Sequence, residues 1–312
     1  MKSITSAMNA VDHWFFGKGD SHTLAMVRIL VGCLALVNLL FLFPTIPDFF
    51  LETGFVPLKS NLIYFGEMNR INLLSGAADP TLVYAFFGVG LLATIGVILG
   101  WYTRLNTIVF ALFFISLHHR NGLILHGGDT ILRQLAILLA VSPCGWAYSL
   151  DRKRAIAKGQ ADPAEIQVSL WPQKLIQIQV AVVYFTTVWH KWHGNYWREG
   201  SAVWYTMQLG EFKKFPVPGF MFSEWFVKLT SYGTLLVELA LATLVFFKPF
   251  RKWVLILGIL MHGFIEYSMN IPLFAFLMVS TYVSFYEGRE VKDWVTGIRV
   301  GRKGTVQPVS ET

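Results

Sequence analysis

The chain has 312 residues, of which 54% are hydrophobic and 14% are charged, and its mean hydropathy is +0.50. Soluble domains carry about 25% charged residues, so this composition excludes an ordinary soluble fold and predicts several membrane-spanning helices of about 20 apolar residues each. The formal net charge of +7 does not indicate nucleic-acid binding, because the basic residues flank apolar stretches, as residues that set membrane topology do.

The first 22 residues form an amphipathic segment. They lack the continuous apolar core and the small-residue cleavage site of a secretory signal. Ile4, Met8, Val11 and Phe15 recur at the spacing of one helix face. This pattern predicts a helix that lies on the membrane surface.

Residues 23–287 are predicted to form one all-α integral membrane domain, a bundle of about eight transmembrane helices plus interfacial helices. The predicted spans are Thr23–Phe43, Leu82–Gly100, Thr107–His118, Thr130–Ser142, Leu175–Lys191, Thr230–Phe247, Trp253–Tyr267 and Ile271–Tyr286. The third and fourth are short, and they either cross at a tilt or form a re-entrant hairpin through Asn121–Gly128. Segments 44–81 and 192–229 are predicted to be interfacial helices and caps, and 288–312 a basic cytoplasmic tail.

The basic residues set the expected orientation. If the N-terminus is inside, sixteen of the 26 Lys and Arg residues fall on inner segments, six on outer segments and four within or beside spans. Positive residues favour the cytoplasmic side. We therefore expect a multi-pass protein of the cell membrane with both termini in the cytoplasm.

Polar residues gather in and beside the spans. Ionisable side chains inside a membrane are costly and usually face a cavity or a partner. At about 1.5 Å per helical residue, Lys191 lies near the outer boundary of the hydrocarbon, and Glu238 and His262 near its middle. We expect these three and His126 to converge on one pocket that opens outward. Alternatively, Lys191 extends to the headgroups.

The other polar groups have structural interpretations. Asp129 follows two glycines and suits a helix N-cap, and it can pair with Arg133 one turn later. A hydrogen bond between His262 and Glu266 would fix helix packing.

Several site types have no support in the sequence. It contains no HEXXH motif, no GxGxxG, no Walker loop and no GxSxG elbow. Cys33 and Cys144 form no disulfide framework. We predict no metal site.

Two runs resemble a known family: RNGLILHGGDTILRQLAILLAVSPCGWAYSLD (120–151) and WPQKLIQIQVAVVYFTTVWHKWHGNYWREGSAVWY (171–205). Within the second run stand, in order, Gln179, Tyr184, Lys191, Trp197, Glu199 and Gly200. A later run, MHGFIEYSMNIPLFAFLMVS, contains His262. From about Leu24 to Tyr286 the sequence resembles the horizontally transferred transmembrane (HTTM) domain family, whose best-known relatives are the vitamin K-dependent gamma-glutamyl carboxylases.

The resemblance implies a chemistry. In those carboxylases a lysine in the matching segment deprotonates vitamin K hydroquinone; oxygen then adds, and the strong base produced removes a proton from glutamate before carbon dioxide addition. Lys191 occupies the matching position, and His126 and His262 match family histidines, so these three are the expected catalytic residues. Glu238, Trp197 and Tyr184 are expected to bind the cofactor, a vitamin K-type hydroquinone used with O2 and CO2.

The resemblance leaves more than one function open. The first is a lyase-like membrane enzyme that uses a lipid quinol to modify a secreted or membrane-tethered peptide at the outer face. The second is a non-catalytic maturation factor, immunity protein or transporter of the same fold. A quinone-linked thiol oxidoreductase is disfavoured, because the sequence offers no outward-facing cysteine pair. The expected partners are membrane lipids and such a peptide, and no nucleic acid.

The orientation is tested with single cysteines placed at Lys158, Lys213 and Lys303 in a Cys33→Ser, Cys144→Ser background. In intact cells a membrane-impermeant thiol reagent should label only the cysteine at position 213. Permeabilised cells, in which all three should react, are the control. Labelling at position 158 from outside would reverse the assigned topology.

Overall fold

The structure is a computed structural model that describes residues 2–57, 60, 63, 71–75 and 79–297. Nearly all of these residues lie in helices or in the loops between them, which confirms the all-α prediction. The α-helices are α1 (Lys2–Phe16), α2 (His22–Leu42), α3 (Ile46–Phe50), α4 (Pro80–Leu99), α5 (Thr103–Arg120), α6 (Gly127–Val141), α7 (Leu150–Ala157), α8 (Trp171–His193), α9 (Asn195–Arg198), α10 (Ala202–Gln208), α11 (Glu224–Ala242), α12 (Lys248–Ser268), α13 (Phe274–Thr281) and α14 (Gly288–Thr296). The 3-10 helices are Phe43–Thr45, Gly210–Phe212, Gly219–Phe222, Leu244–Phe246 and Tyr282–Phe285.

A helix lies at each of the eight predicted spans. By length and composition, three helical stretches of the described chain can cross a membrane: His22–Phe50, Pro80–Leu99 and Glu224–Ala242. The helices α5 and α6 hold 18 and 15 residues, and α6, at about 1.5 Å per residue, is shorter than the ~30 Å hydrocarbon layer. The count of eight spans remains a prediction.

The helices pack as two groups of sequential neighbours. One group is α2, α4, α5 and α6, and the other is α8, α11 and α12. The helix α13 contacts α2, α6, α8 and α12 and so joins the groups. Small residues permit close approach: a Cβ added to Gly90 of α4 would lie 2.2 Å from the Phe113 ring of α5.

The N-terminal segment contains the predicted helix. Met8 and Val11 of α1 are 67% and 64% exposed, so this apolar face is uncovered by protein, as a helix on a membrane surface requires. The side chain of Ile4 lies outside the described part of the structure. So do Lys59, Arg70, and the tail residues Arg299, Arg302 and Lys303.

A small β-ribbon follows α1, and the sequence did not predict it. Strand β1 (Lys18–Asp20) pairs antiparallel with β2 (Gln167–Ser169), the segment that leads into α8. Asp20 accepts hydrogen bonds from the backbone and ring of His22. Burial alone would raise the pKa of Asp20, but these hydrogen bonds outweigh it and the pKa is lowered. The ribbon thus ties α1 and α2 to the start of α8.

Two arginines are fully buried. Arg28 Nη2 donates to the Tyr148 carbonyl at 2.6 Å, and Arg120 donates to the carbonyls of Val56 and Phe50 at 3.2 and 3.1 Å. A guanidinium has several donors in a fixed fork. Arg28 satisfies the loop carbonyl of Tyr148, and Arg120 satisfies the loop carbonyl of Val56 and the carbonyl of Phe50 at the end of α3. These side chains therefore fasten loops to the bundle.

Replacing Arg120 by Leu should lower the stability of the protein by about 1–3 kcal/mol, because two buried carbonyls lose their donor. Thermal unfolding in detergent measures this change. Arg154→Leu, at an exposed position of α7, is the matched control and should leave the midpoint unchanged. An Arg120→Leu protein as stable as the parent would contradict the fastening role.

Candidate functional site

An ion pair between α8 and α11 is the centre of the site. Lys191 Nζ lies 2.5 Å from Glu238 Oε1, and the two side chains are 24% and 7% exposed. The same ammonium lies 4.7 Å from the centroid of the Trp197 ring. Thr187 donates a hydrogen bond to the other carboxylate oxygen at 3.4 Å. Lys191 therefore points into the bundle, which favours an inward role over extension to the headgroups.

Helical spacing explains this alignment. Tyr184, Thr187 and Lys191 stand at i, i+3 and i+7 in α8 and share one face. That face packs on α11, which carries Glu238 in the second turn from its C-terminal end. A carboxylate at this depth requires a partner, and Lys191 is long enough to supply one from near the end of α8.

A second set of hydrogen bonds continues from the same face into the interior. The hydroxyl of Tyr184 lies 2.7 Å from His262 Nε2 and 2.7 Å from the hydroxyl of Tyr282. All three side chains are buried. Among the described residues His262 Nδ1 has no hydrogen-bond partner. The ring of Phe274 packs against His262 at 5.6 Å between centroids.

The predicted hydrogen bond between His262 and Glu266 is absent from this arrangement. His262 turns toward Tyr184 on α8, and Glu266 forms an ion pair with Lys214 of the loop that follows α10. The two side chains lie one turn apart on α12, but each has a closer partner on another segment.

A cavity of about 740 Å³ lies beyond this network. Its walls are mostly apolar, from Val37 and Phe41 of α2 to Leu273 and Phe276. The ionisable residues that line it are His118, His126, Asp129, Lys214 and Glu266. Glu266 Oε2 and His118 Nδ1 are buried without a hydrogen-bond partner in the described structure. The cavity thus joins an apolar chamber to a set of hydrogen-bonding groups.

The start of α6 forms one polar wall of this cavity. His126 is the N-cap of α6, and its Nδ1 accepts from the Gly128 amide at 3.0 Å. Asp129 is the third residue of the helix and accepts from the His126 amide at 2.9 Å. The prediction that Asp129 is the N-cap is therefore wrong, because the first residue of the helix is Gly127, which precedes Asp129 by two residues. Asp129 also lies 3.7 Å from His118, whereas an ion pair with Arg133 is not formed in the described structure.

The four residues expected to share one pocket lie in three places. Lys191 pairs with Glu238, His262 is hydrogen-bonded to Tyr184 on the same face of α8, and His126 lines the cavity. Phe274 lies between the last two places: it contacts His262, and its Cα would be 3.5 Å from a Cβ added to Gly128. Leu273, which lines the cavity, adopts φ +59°, a left-handed conformation that costs a non-glycine residue energy.

The ion pair of Lys191 with Glu238 and the cavity lie at the same end of the bundle. The loop that follows α10 reaches the C-terminal end of α12, where Lys213 forms a β-bridge with Met269. The Tyr267 hydroxyl donates to the Pro216 carbonyl at 2.6 Å. This loop therefore covers the bundle end that carries both Lys191 and the cavity.

Sequence reasoning missed three residues of these sites. Thr187 and Tyr282 complete the hydrogen bonds of Glu238 and Tyr184, and Lys214 pairs with Glu266. The spacing of Thr187 from Lys191 was a usable signal. Lys214 lies on an irregular loop, where no periodicity indicates which way a side chain points. Among the described residues, no group of three or more His, Cys, Asp or Glu side chains is placed to hold a metal ion.

Comparisons with known proteins place this chain in a family. A family model described as the HTTM domain matches residues 16–294. An uncharacterized protein of Bacillus subtilis (strain 168), YitO, is 25% identical over 235 residues, which cover 70% of this chain and 72% of the relative. No solved structure gives a significant match.

Replacing Glu238 by Gln should destabilise the protein by about 1–3 kcal/mol, because the ammonium of Lys191 loses its buried counter-charge. Thermal unfolding in detergent measures the loss. The double variant Glu238→Gln, Lys191→Met should recover part of it, since no unpaired charge remains. The matched control is Glu224→Gln, which breaks an exposed pair with Lys228 on the same helix and should change little. A Glu238→Gln protein with parental stability would show that the pair is not formed.

Proposed function

The chain belongs to the HTTM domain family, and from that premise we propose that it is an integral membrane enzyme that uses a lipid-soluble hydroquinone to modify a substrate at the outer membrane face. Lys191 is the general base. The observation that carries the proposal is the inward ion pair of Lys191 with Glu238, beside an aromatic ring and above a buried set of tyrosine and histidine hydrogen bonds.

The ion pair of Lys191 and Glu238 can itself supply the base, so the reaction does not need a lysine that is free in water. Because Lys191 Nζ lies 2.5 Å from Glu238 Oε1, a proton that moves from the ammonium to the carboxylate leaves a neutral amine. A neutral amine can accept the proton of a phenolic hydroxyl. Thr187 holds Glu238 in place and the face of Trp197 packs against the lysine. The 24% exposure of Lys191 leaves one side accessible to a substrate.

The residues present fit a hydroquinone. The partly exposed ring of Trp197 offers an aromatic face beside the amine, and the cavity at the same end of the bundle offers apolar walls for a lipid-soluble molecule. The buried, unpartnered atoms His118 Nδ1 and Glu266 Oε2 suit hydroxyl groups. When bound, a hydroquinone supplies phenolic protons and two electrons, and O2 is the oxidant.

Other residues take supporting roles in this proposal. Tyr184 is too deeply buried to touch a ligand directly, and it positions His262 through their hydrogen bond. Tyr282 lies at hydrogen-bond distance from the same Tyr184 hydroxyl and holds that side chain in place. His126 shapes the cavity through its N-cap of α6.

The finer proposal is carboxylation of a peptide glutamate, with CO2 as the second gas. It follows from the likeness to vitamin K-dependent carboxylases, and the geometry supports only its first step, proton removal by an amine. The second candidate, a non-catalytic maturation or immunity factor or a transporter, keeps the same pair as a packing element. The two candidates differ in what Lys191 must be able to do.

Lys191→Ala and Lys191→Arg should both lower quinol-dependent oxygen uptake by about 10²–10⁴-fold, because arginine keeps the charge but does not deprotonate in a protein. The assay uses purified protein in liposomes with a short-chain naphthohydroquinone. Lys228→Arg, on an exposed turn of α11, is the control and should retain the parental rate.

Full activity of Lys191→Arg would end the base hypothesis and leave a structural cation. The non-catalytic candidate would be favoured if the parent protein gives no more oxygen uptake than empty liposomes, although its thermal unfolding transition shows that it is folded. Mass spectrometry of co-purified lipids then shows whether a quinone is bound at all.

A further inference from the structure

A second large cavity lies at the N-terminal ends of α8 and α12, at the opposite end of the bundle from Lys191. Its volume is about 520 Å³. It is enclosed by the first turns of α8 and α12, the end of α1, strand β1 and the start of α14. The cavity is therefore built from segments that lie far apart in the sequence, and the ribbon and α14 hold them together.

The lining of this cavity is basic. Its basic residues are Lys18, Lys174, Lys248, Arg251 and Arg289, and its acidic residues are Asp20 and Glu287. Both acids are already engaged. Asp20 accepts hydrogen bonds from His22, and Glu287 pairs with Lys248 at 2.8 Å. In the described structure neither Lys174 nor Arg251 lies within ion-pair distance of a carboxylate.

Three of the basic side chains act on the same carboxylate, that of Glu287. The hydrogen bond from Lys248 holds the pKa of Glu287 below its usual value, and the charges of Arg251 and Lys174 add to this effect. The three cations therefore share one electrostatic field. An anion that enters the cavity meets them without having to displace Asp20.

Aromatic rings frame the same cavity. Lys174 Nζ lies 4.7 Å from the centroid of the Trp14 ring, and the Arg251 guanidinium lies 5.9 Å from that of Tyr286. Tryptophan and tyrosine are enriched where a membrane meets water. These contacts place the basic groups at the depth of lipid headgroups.

The floor of the cavity depends on one close approach. A Cβ added to Gly288 would lie 2.5 Å from the Asp20 carbonyl oxygen. Only glycine lets the start of α14 pack directly on β1, which brings Glu287 and Arg289 to the cavity. The cavity is thus a built feature of the fold rather than a chance gap between side chains.

We propose that this cavity binds the phosphate headgroup of an anionic phospholipid. Lysine and arginine are the side chains that bind phosphate oxygens, and basic pockets between helices at a membrane surface recognise such headgroups. The exposed apolar residues beside it indicate a lipid rather than a soluble anion: Phe250 and Trp253 of α12 are 52% and 64% exposed, and α1 adds Met8 and Val11. Acyl chains would lie along these side chains.

The test compares the full-length protein in nanodiscs of phosphatidylcholine alone and of phosphatidylcholine with phosphatidylglycerol, followed by native mass spectrometry of retained lipids. The parent should retain phosphatidylglycerol in preference to phosphatidylcholine. Each basic residue near the surface contributes a factor of about five in affinity, so Lys174→Gln with Arg251→Gln should lower this preference about 25-fold.

Three further arms decide the result. Lys228→Gln removes a basic residue at the other end of the bundle and should leave the preference unchanged. Thermal unfolding shows whether the double variant is folded, and Lys174→Arg should keep the preference. Equal retention of the two lipids by the parent overturns the proposal. Displacement of the lipid by millimolar inorganic phosphate also overturns it, because the cavity would then recognise a soluble anion.

Discussion

The arrangement of the functional end depends on one constraint, the need of Glu238 for a cation inside an apolar bundle. A lone carboxylate at that depth would be expensive, and the chain meets the cost with Lys191 at 2.5 Å. Satisfying it fixes the rotation of α8 about its axis, because Lys191, Thr187 and Tyr184 share one face. That rotation brings Tyr184 to His262 and Tyr282, and so couples α8 to α12 and to the 3-10 helix after α13. One ion pair therefore sets the mutual orientation of several helices.

The same bundle keeps two chemical environments apart at this end. On one side is a network of closely spaced donors and acceptors, and on the other is an apolar cavity with imidazoles and carboxylates on its wall. Phe274 and the strained Leu273 separate them. Strain of this kind persists only where the surrounding structure enforces it.

Sequence reasoning succeeded where periodicity and composition carry the information. Each predicted span coincides with a helix, and Lys191 and Glu238, which were expected to lie in one pocket, form an ion pair. It failed where a segment is short or irregular. The loop containing Lys214, the ribbon of β1 and β2, and the first residue of α6 depend on contacts between distant segments, which no local pattern encodes. The resemblance to the family groups His126 with Lys191, but the sequence does not show which side of α13 each one faces.

The central claim, that Lys191 must release and accept a proton, is tested most directly by chemical replacement of its side chain. In a Lys191→Cys protein whose native cysteines are replaced, 2-bromoethylamine builds a lysine analogue with a titratable amine, and (2-bromoethyl)trimethylammonium builds one with a permanent charge. The account predicts that the amine restores quinol-dependent oxygen uptake, whereas the permanent cation restores none of it. Equal recovery of uptake with the permanent cation would contradict the account and leave Lys191 as a counter-charge for Glu238.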